Sequence, residues 1–229
     1  MKKVGLIVAV ELDSVLNKYG KPVKEQQIDG YNVLTYNIDN KAELYVVHCG
    51  AGEISAAAAT QFCISVLKCP LILNFGIVGG LTSEMSETNI CVVEKIVHYD
   101  FDVSADDARY VPGQHSGYPD AYIPATKHLI EMAVKVESKL KKVIIASGDK
   151  FIDTAAKKRE LNKTFNADIC DMEAAGIALT CDRNKVPFLM IKCVSDGCND
   201  DSYNSFLEYF TESATICFDV MDKIIKNMF

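Results

Sequence analysis

Short apolar runs and helix-period patterns alternate along this chain of 229 residues. Apolar runs of the length that predicts buried strands occur at Val4–Val10, Asn32–Ile38, Leu44–Cys49, Leu71–Phe75, Ile90–His98, Val143–Ala146, Ile169–Met172 and Phe188–Val194. Helical spacing covers Ile54–Leu67, Lys127–Leu140, Ala155–Phe165, Glu173–Arg183 and Phe206–Asn227. Strands and helices interleave, while Asn32–Cys49 has the pattern of a hairpin turning at Asp39-Asn40-Lys41. The pattern therefore predicts an α/β domain with a mixed sheet.

No internal repeat or low-complexity linker divides the chain, and its length suits one domain over residues 1–229. The long irregular stretch Ser104–Pro124 carries several tyrosines, prolines and glycines. A loop of that length inside a compact domain is usually functional or lies at an interface.

Composition narrows the classes of partner. The net charge of −7 disfavours binding to the phosphate backbone of a nucleic acid. The apolar run Val4–Val10 is too short for a signal peptide or a membrane span, and Glu11 and Asp13 end its apolar character. The nine cysteines are odd in number, form no C-x-x-C pair and lie mostly in apolar runs. These features predict a soluble cytoplasmic protein without a nucleic-acid or membrane partner.

Carboxylates follow two of the predicted buried strands. Asp171-Met172-Glu173 ends one strand and opens an alanine-rich helix, and Ser195-Asp196 follows the run Phe188–Val194. A hydrophobic interior admits carboxylates only where they have a partner or a chemical role. In open α/β sheets, ligands bind outside the carboxyl ends of the strands. The two segments are therefore a candidate active site.

Weaker motifs leave alternatives open. Gly50-Ala51-Gly52 is either a tight strand-to-helix turn or a ligand site at a helix start, and it lacks the third glycine and the acidic residue of a dinucleotide site. Gly76–Gly80 is predicted to be a turn that leaves room for a planar ligand or a sugar.

Phe151 is either a core residue or a platform for a heterocycle. Glu11 and Asp13 either favour a helix start or present one carboxylate to the crevice. The four histidines have no metal-ligand spacing, so neither a metal nor a cofactor is expected.

Taken in order, five segments resemble one family. They are Lys3–Glu11, Asn74–Leu81, Ser147-Gly148-Asp149-x-Phe151-Ile152, Asp171–Ala175 and Lys192-x-Val194-Ser195-Asp196. The chain resembles the nucleoside phosphorylase I superfamily over nearly its whole length, and within it the 5′-methylthioadenosine/S-adenosylhomocysteine nucleosidases. The pairing of Met-Glu with Ser-Asp is the specific part of this resemblance.

The resemblance implies a three-layer α/β/α fold around a twisted mixed sheet and a homodimer. It also implies hydrolysis of the N-glycosidic bond of 5′-methylthioadenosine, S-adenosylhomocysteine or a related purine nucleoside. Asp196 would protonate purine N7, Ser195 would orient Asp196, Glu173 would hold the ribose 2′-hydroxyl, and Met172 would pack under the ribose.

The remaining site residues follow from the same resemblance. Phe151 would stack on the base and the Ile152 backbone would read its edge. Phe206 would line the apolar 5′ pocket, and the ligand would lie against Gly76, Ile77 and Val78.

The nucleophile site departs from the family pattern. The family register places Asp13 where the nucleosidases carry the glutamate that activates water, with Glu11 two residues earlier, and it places Ile77 where a serine is usual. None of the three arginines lies in a matching motif, although phosphate needs several cations or donors. Water is therefore the expected nucleophile, with Asp13 facing it. A phosphate-dependent nucleoside phosphorylase and a noncatalytic nucleoside-binding protein are the alternatives.

Overall fold

Ten strands and six helices alternate along residues 1–229, all of which the computed structural model describes. The strands are β1 (Lys2–Val8), β2 (Lys24–Ile28), β3 (Tyr31–Ile38), β4 (Ala42–His48), β5 (Ile72–Gly80), β6 (Ile90–His98), β7 (Tyr122–Pro124), β8 (Lys141–Ser147), β9 (Ile169–Asp171) and β10 (Phe188–Asp196). The helices are α1 (Leu12–Tyr19), α2 (Glu53–Ser65), α3 (Lys127–Val136), α4 (Ala155–Phe165), α5 (Ala174–Asn184) and α6 (Ser202–Met228).

The sheet is mixed and is covered on both faces. Strand β1 runs parallel to β4 and β5, β5 runs parallel to β10, and β2, β3 and β4 form antiparallel neighbours. Helices α2 and α5 pack on one face, and α1, α3 and α6 pack on the other. The predicted α/β fold with three layers and a mixed central sheet is confirmed.

One end of the sheet closes on itself, which the sequence did not predict. Strand β5 pairs with β10, β10 with β6, β6 with β8, β8 with β9, and β9 again with β5. These five strands form a ring, and the rest of the sheet extends from β5 through β1. The ring brings β5, β9 and β10 together in space although they are far apart in the sequence.

The predicted turns fare differently. The hairpin between β3 and β4 turns where predicted, with positive φ at Asp39 (51°) and Asn40 (58°), as a tight hairpin turn requires. The glycine segment Gly76–Gly80, however, is not a turn: it is the second half of β5 and pairs with both β10 and β9. The prediction of a turn was wrong because glycine also occurs within strands, where it lets the backbone pass close to neighbouring segments.

No helix of the molecule combines the length and the apolar character that a membrane crossing requires.

Candidate active site

A cavity of about 230 Å³ opens where β1, β8, β9 and β10 end, beside the second half of β5. Nine of the predicted catalytic and substrate-binding residues line this cavity: Asp196, Glu173, Ser195, Met172, Phe151, Ile152, Ile77, Val78 and Phe206. The ring of strands therefore brings together residues spread over most of the chain.

Two of the expected site residues lie outside the cavity lining. Gly76 sits behind it, where a Cβ would come within 2.9 Å of Glu11 Oε1. Asp13 is exposed on the first turn of α1, so its predicted place facing the nucleophile was wrong. The first strand already ends at Val8, and α1 begins at Leu12, which rotates Asp13 away from the crevice.

Glu11, rather than Asp13, is the carboxylate of this segment that reaches the cavity. It is buried and lines the cavity just before α1 begins. Its Oε1 accepts a hydrogen bond from the Ile77 backbone N–H at 2.9 Å, and its Oε2 accepts one from Val10 N–H at 3.1 Å. These two bonds hold the carboxylate in one orientation at the cavity wall.

Glu173 stands at the start of α5, in a cluster of buried charges. Its Oε1 accepts a hydrogen bond from Gly52 N–H at 2.9 Å, so the turn Gly50-Ala51-Gly52 serves the site through its backbone. Burial, and then the neighbouring charge of Asp171, raises the pKa of Glu173 to about 7. Lys192 Nζ lies 2.9 Å from Asp171 Oδ2 in a buried ion pair and compensates part of this negative charge.

Asp196 is the last residue of β10, and a bulge presents it to the cavity. The pairing of β10 with β5 slips between Val194 and Asp196, so that Ser195 is the additional residue. Ser195 Oγ donates to Asp196 Oδ1 at 2.9 Å. Burial raises the pKa of Asp196 above its ordinary value, although the charge of Lys158 opposes the shift. A carboxyl whose pKa is raised in this way is suited to general acid catalysis.

Lys158 is a functional candidate that the sequence analysis missed. It projects from α4, is completely buried, and its Nζ lies 2.5 Å from Asp196 Oδ2. The signal was present in the sequence: Ala155, Lys158, Leu161 and Phe165 form the buried face of α4, so a lysine occupies a position in an apolar stripe.

Glu53 is a second residue that the sequence analysis missed. Ser147 Oγ lies within hydrogen-bond distance of Glu53 Oε1 and 2.6 Å from Asp171 Oδ1, yet a hydroxyl has one proton to donate. One of the two carboxyls must therefore be protonated. Burial and the charge of Asp171 raise the pKa of Glu53 to about 8, which identifies Glu53 as the protonated partner.

The opposite end of the cavity is apolar. Phe151 lies edge-on to Phe206, with ring centroids 5.7 Å apart, and edge-on to Tyr203 at 6.5 Å. Phe151 remains 42 % exposed, so its ring is not a core residue but is accessible at the cavity mouth. The cavity thus combines carboxyl groups with an aromatic wall that suits a flat, partly polar molecule.

Comparison with known proteins places this arrangement in context. Residues 3–227 match the model of the phosphorylase superfamily. The 5′-methylthioadenosine/S-adenosylhomocysteine nucleosidase of Haemophilus ducreyi is 29% identical over 98% of both chains. The aminodeoxyfutalosine nucleosidase of Campylobacter jejuni is 29% identical over 81% of this chain and 82% of its own. The futalosine hydrolase structure of Helicobacter pylori has a TM-score of 0.92 at 24% identity, covering 99% of this chain and 98% of that one.

Proposed function

Since this chain belongs to the phosphorylase superfamily, we propose that it hydrolyses the N-glycosidic bond of a purine nucleoside. The substrate class is 5′-methylthioadenosine, S-adenosylhomocysteine or a related adenine nucleoside, as the names of its relatives suggest. The observation that carries the proposal is one cavity lined by the buried acid Asp196, by Glu11 and Glu173, and by an exposed aromatic face.

The roles follow from the chemistry of glycoside cleavage. The bond between C1′ and the purine breaks through a transition state with positive charge on the sugar, and the departing base needs a proton. Asp196, oriented by Ser195, supplies that proton to N7. Glu173 accepts a hydrogen bond from the ribose 2′-hydroxyl, and Glu11 takes a proton from the attacking water.

The apolar residues then fix the orientation of the nucleoside. Phe151 stacks on the base and the Ile152 backbone meets its edge, while Met172 lies under the ribose. Ile77 and Val78 support the sugar from β5, and Phe206 contributes the apolar surface for the 5′ substituent. Gly76 acts indirectly, because its missing side chain leaves space for the Glu11 carboxylate.

Water is the proposed nucleophile rather than phosphate. Binding of phosphate requires several cations or hydrogen-bond donors. None of the three arginines lines the cavity, and the buried lysines Lys158 and Lys192 are already paired with Asp196 and Asp171. The buried carboxylate of Glu11 repels phosphate but accepts a proton from water.

Product analysis tests this function. The protein is incubated with 5′-methylthioadenosine, S-adenosylhomocysteine, aminodeoxyfutalosine, adenosine and inosine, with and without phosphate. We expect free base and free sugar at a rate independent of phosphate. Formation of sugar 1-phosphate would identify a phosphorylase, and binding without release of base from any of these nucleosides would identify a noncatalytic binder.

The role of Glu173 is tested separately with a change of sugar. We expect Glu173→Gln to lower kcat/KM on ribosides about tenfold or more, because a hydrogen bond to a charged acceptor is weakened. The matching 2′-deoxyribosides, which lack the hydroxyl, should be much less sensitive to the substitution. Equal losses on both sugars, measured at steady state, would show that Glu173 does not contact the 2′-hydroxyl.

We also propose that the protein works in the cytoplasm as a homodimer. Val10 and Phe151 line the cavity and are exposed, and the exposed Tyr203 lies edge-on to Phe151. Leu207, which follows the cavity residue Phe206 in α6, is exposed as well. A second copy of the chain would cover this surface and close the 5′ end of the cavity. Sedimentation velocity should give a dimer, and Leu207→Glu should weaken it; a monomer at micromolar concentration would contradict the proposal.

A further inference from the structure

Every proton of the buried Lys158 ammonium group has a hydrogen-bond acceptor. Its Nζ donates to three oxygens: Asp196 Oδ2 at 2.5 Å, the Asp196 carbonyl at 3.3 Å and the Gly197 carbonyl at 2.7 Å. All three protons of the ammonium group are therefore used. The side chain is completely buried, so no solvent replaces any of these partners.

The same three contacts can also form when both side chains are uncharged, with Lys158 as an amine and Asp196 as a carboxylic acid. If the proton moves from Nζ to Asp196 Oδ2, the amine keeps two N–H bonds to the carbonyls of Asp196 and Gly197. Its lone pair then accepts the new O–H of the carboxyl group. Neither form leaves a buried polar atom unsatisfied, so the proton can pass between Lys158 and Asp196 without rearrangement of the fold.

The surroundings of this pair favour the exchange. Gly79 on β5 makes room for it, because a Cβ there would lie 3.2 Å from Asp196 Oδ2 and 3.5 Å from Lys158 Nζ. Glu87, which accepts from Gly197 N–H at 2.9 Å, is the other carboxylate that faces Asp196, and the thiol of Cys170 faces both groups from β9. Burial disfavours charge separation, which brings the neutral and ionic forms closer in free energy.

We propose that Lys158 is a positioning residue that stores the proton which Asp196 delivers to the leaving base. This proposal rests on the function proposed above, in which Asp196 is the general acid. Most buried ion pairs keep a carboxylate ionised, and an ionised Asp196 has no proton to give. Lys158 resolves this conflict because the pair holds one transferable proton over the whole range in which the ammonium group is charged.

The step conserves protons and electrons within the site. The carboxyl proton of Asp196 moves to N7 as the bond between C1′ and N9 breaks, and the electron pair of that bond enters the purine ring. The base leaves as a neutral molecule and Asp196 becomes a carboxylate. Lys158, which gave its proton to Asp196 Oδ2 when the neutral pair formed, is a neutral amine at this point. Solvent in the emptied cavity returns one proton to the pair through Asp196 after the products leave.

The pH profile of kcat/KM distinguishes proton storage from a structural role. In the wild type, activity should persist into the alkaline range, until the pair loses its proton. In Lys158→Met only the proton on Asp196 itself remains, so the pH at which kcat/KM declines on the alkaline side should be lower by about one pH unit or more. Lys158→Arg keeps the charge but does not release its proton, so its decline on the alkaline side should also shift to lower pH.

The neighbouring Lys157 supplies the control, since it lies on the same helix with an exposed side chain. Lys157→Met should leave the profile unchanged. The proposal would be overturned if Lys158→Met lost activity equally at every pH, or if its alkaline decline in kcat/KM moved to higher pH. It would also be overturned if Lys158→Arg kept the alkaline decline of the wild type. A wild type that releases no base would overturn the proposed function first, and a fully active Asp196→Asn would overturn the acid assignment and, with it, the role of Lys158.

A spectroscopic measurement on the wild type covers the case in which the Lys158 variants fail to fold. With ¹⁵N-labelled lysine, the Nζ resonance of Lys158 should titrate together with the alkaline limb of kcat/KM. If that resonance remains in its ammonium form well above the limb, Lys158 does not supply the proton and the proposal fails.

Discussion

Replacement of Asp196 by asparagine should lower kcat by about a hundredfold or more, the usual contribution of a general acid. The amide keeps the shape of the side chain, and its oxygen still accepts a hydrogen bond from Lys158. It has no proton to give to N7, however, so the base must leave as an anion. Steady-state kinetics on 5′-methylthioadenosine, followed by release of the free base, measures the effect.

Two controls accompany this variant. Breaking one end of a buried ion pair commonly costs about 3 to 5 kcal/mol of stability, so thermal unfolding must show that Asp196→Asn is folded at the assay temperature. Glu87→Gln changes a nearby carboxyl outside the cavity lining while keeping an acceptor for Gly197 N–H. It should remain within about threefold of the wild type, since a conservative change away from the reacting atoms has a small effect. Unchanged turnover in Asp196→Asn would remove Asp196 from the mechanism.

Replacement of Glu11 by glutamine should lower kcat by a similar factor, about a hundredfold, because the proposed base for the attacking water is lost. The glutamine oxygen can still accept the hydrogen bond from Ile77 N–H, so the wall of the cavity is preserved. Substrate affinity should therefore change much less than kcat. Rapid-quench single-turnover kinetics separates the two effects, because it reports the chemical step directly.

Asp13 provides the matched control for Glu11. It lies two residues away, carries the same charge and is exposed on α1. Asp13→Asn should remain within about twofold of the wild type, as surface substitutions usually do. A large loss in Asp13→Asn together with an active Glu11→Gln would give the role of base to Asp13 instead.

Most of the secondary structure was predictable because strong apolar patterns decide it. Eight of the ten strands and five of the six helices lie where the sequence pattern placed them, with ends shifted by a few residues. Strand β2 was missed because its sequence, KEQQI, has no apolar alternation and lies almost entirely exposed at the sheet edge. Helix α1 was missed because it spans 8 residues, too few for a clear period.

The choice between Glu11 and Asp13 depends on where helix α1 begins, and the sequence pattern did not predict this helix. The apolar residues of α1, Leu12, Val15, Leu16 and Tyr19, define the face that packs on the protein. Asp13 is not on that stripe. A register taken from family resemblance alone carries no information on where the strand stops and the helix starts, so it placed the carboxylate two residues too late.

The partners of Lys158 and Glu53 could not be predicted from the sequence for a different reason. The position of Lys158 in an apolar stripe indicates burial but names no partner, and the partners of the two residues lie 38 and 94 residues away in the chain. Long-range pairing of this kind depends on how the strands are ordered in the sheet. The sequence pattern predicts that strands exist, but it does not predict that five of them close into a ring.

That ring also determines when the protein first becomes active during its synthesis. The Ser195 hydroxyl donates to the Val78 carbonyl, 117 residues earlier in the chain, and β5 pairs with both β9 and β10. Contacts of such separation slow folding, because the chain must close a long loop before it gains them. Synthesis proceeds at about 5 to 20 residues per second, so many seconds pass between the synthesis of β5 and that of β10. During this time the edge of β5 that later pairs with β10 is unpaired. Chaperone binding to nascent chains should therefore centre on β5, and no C-terminal truncation that removes β10 will retain a complete site.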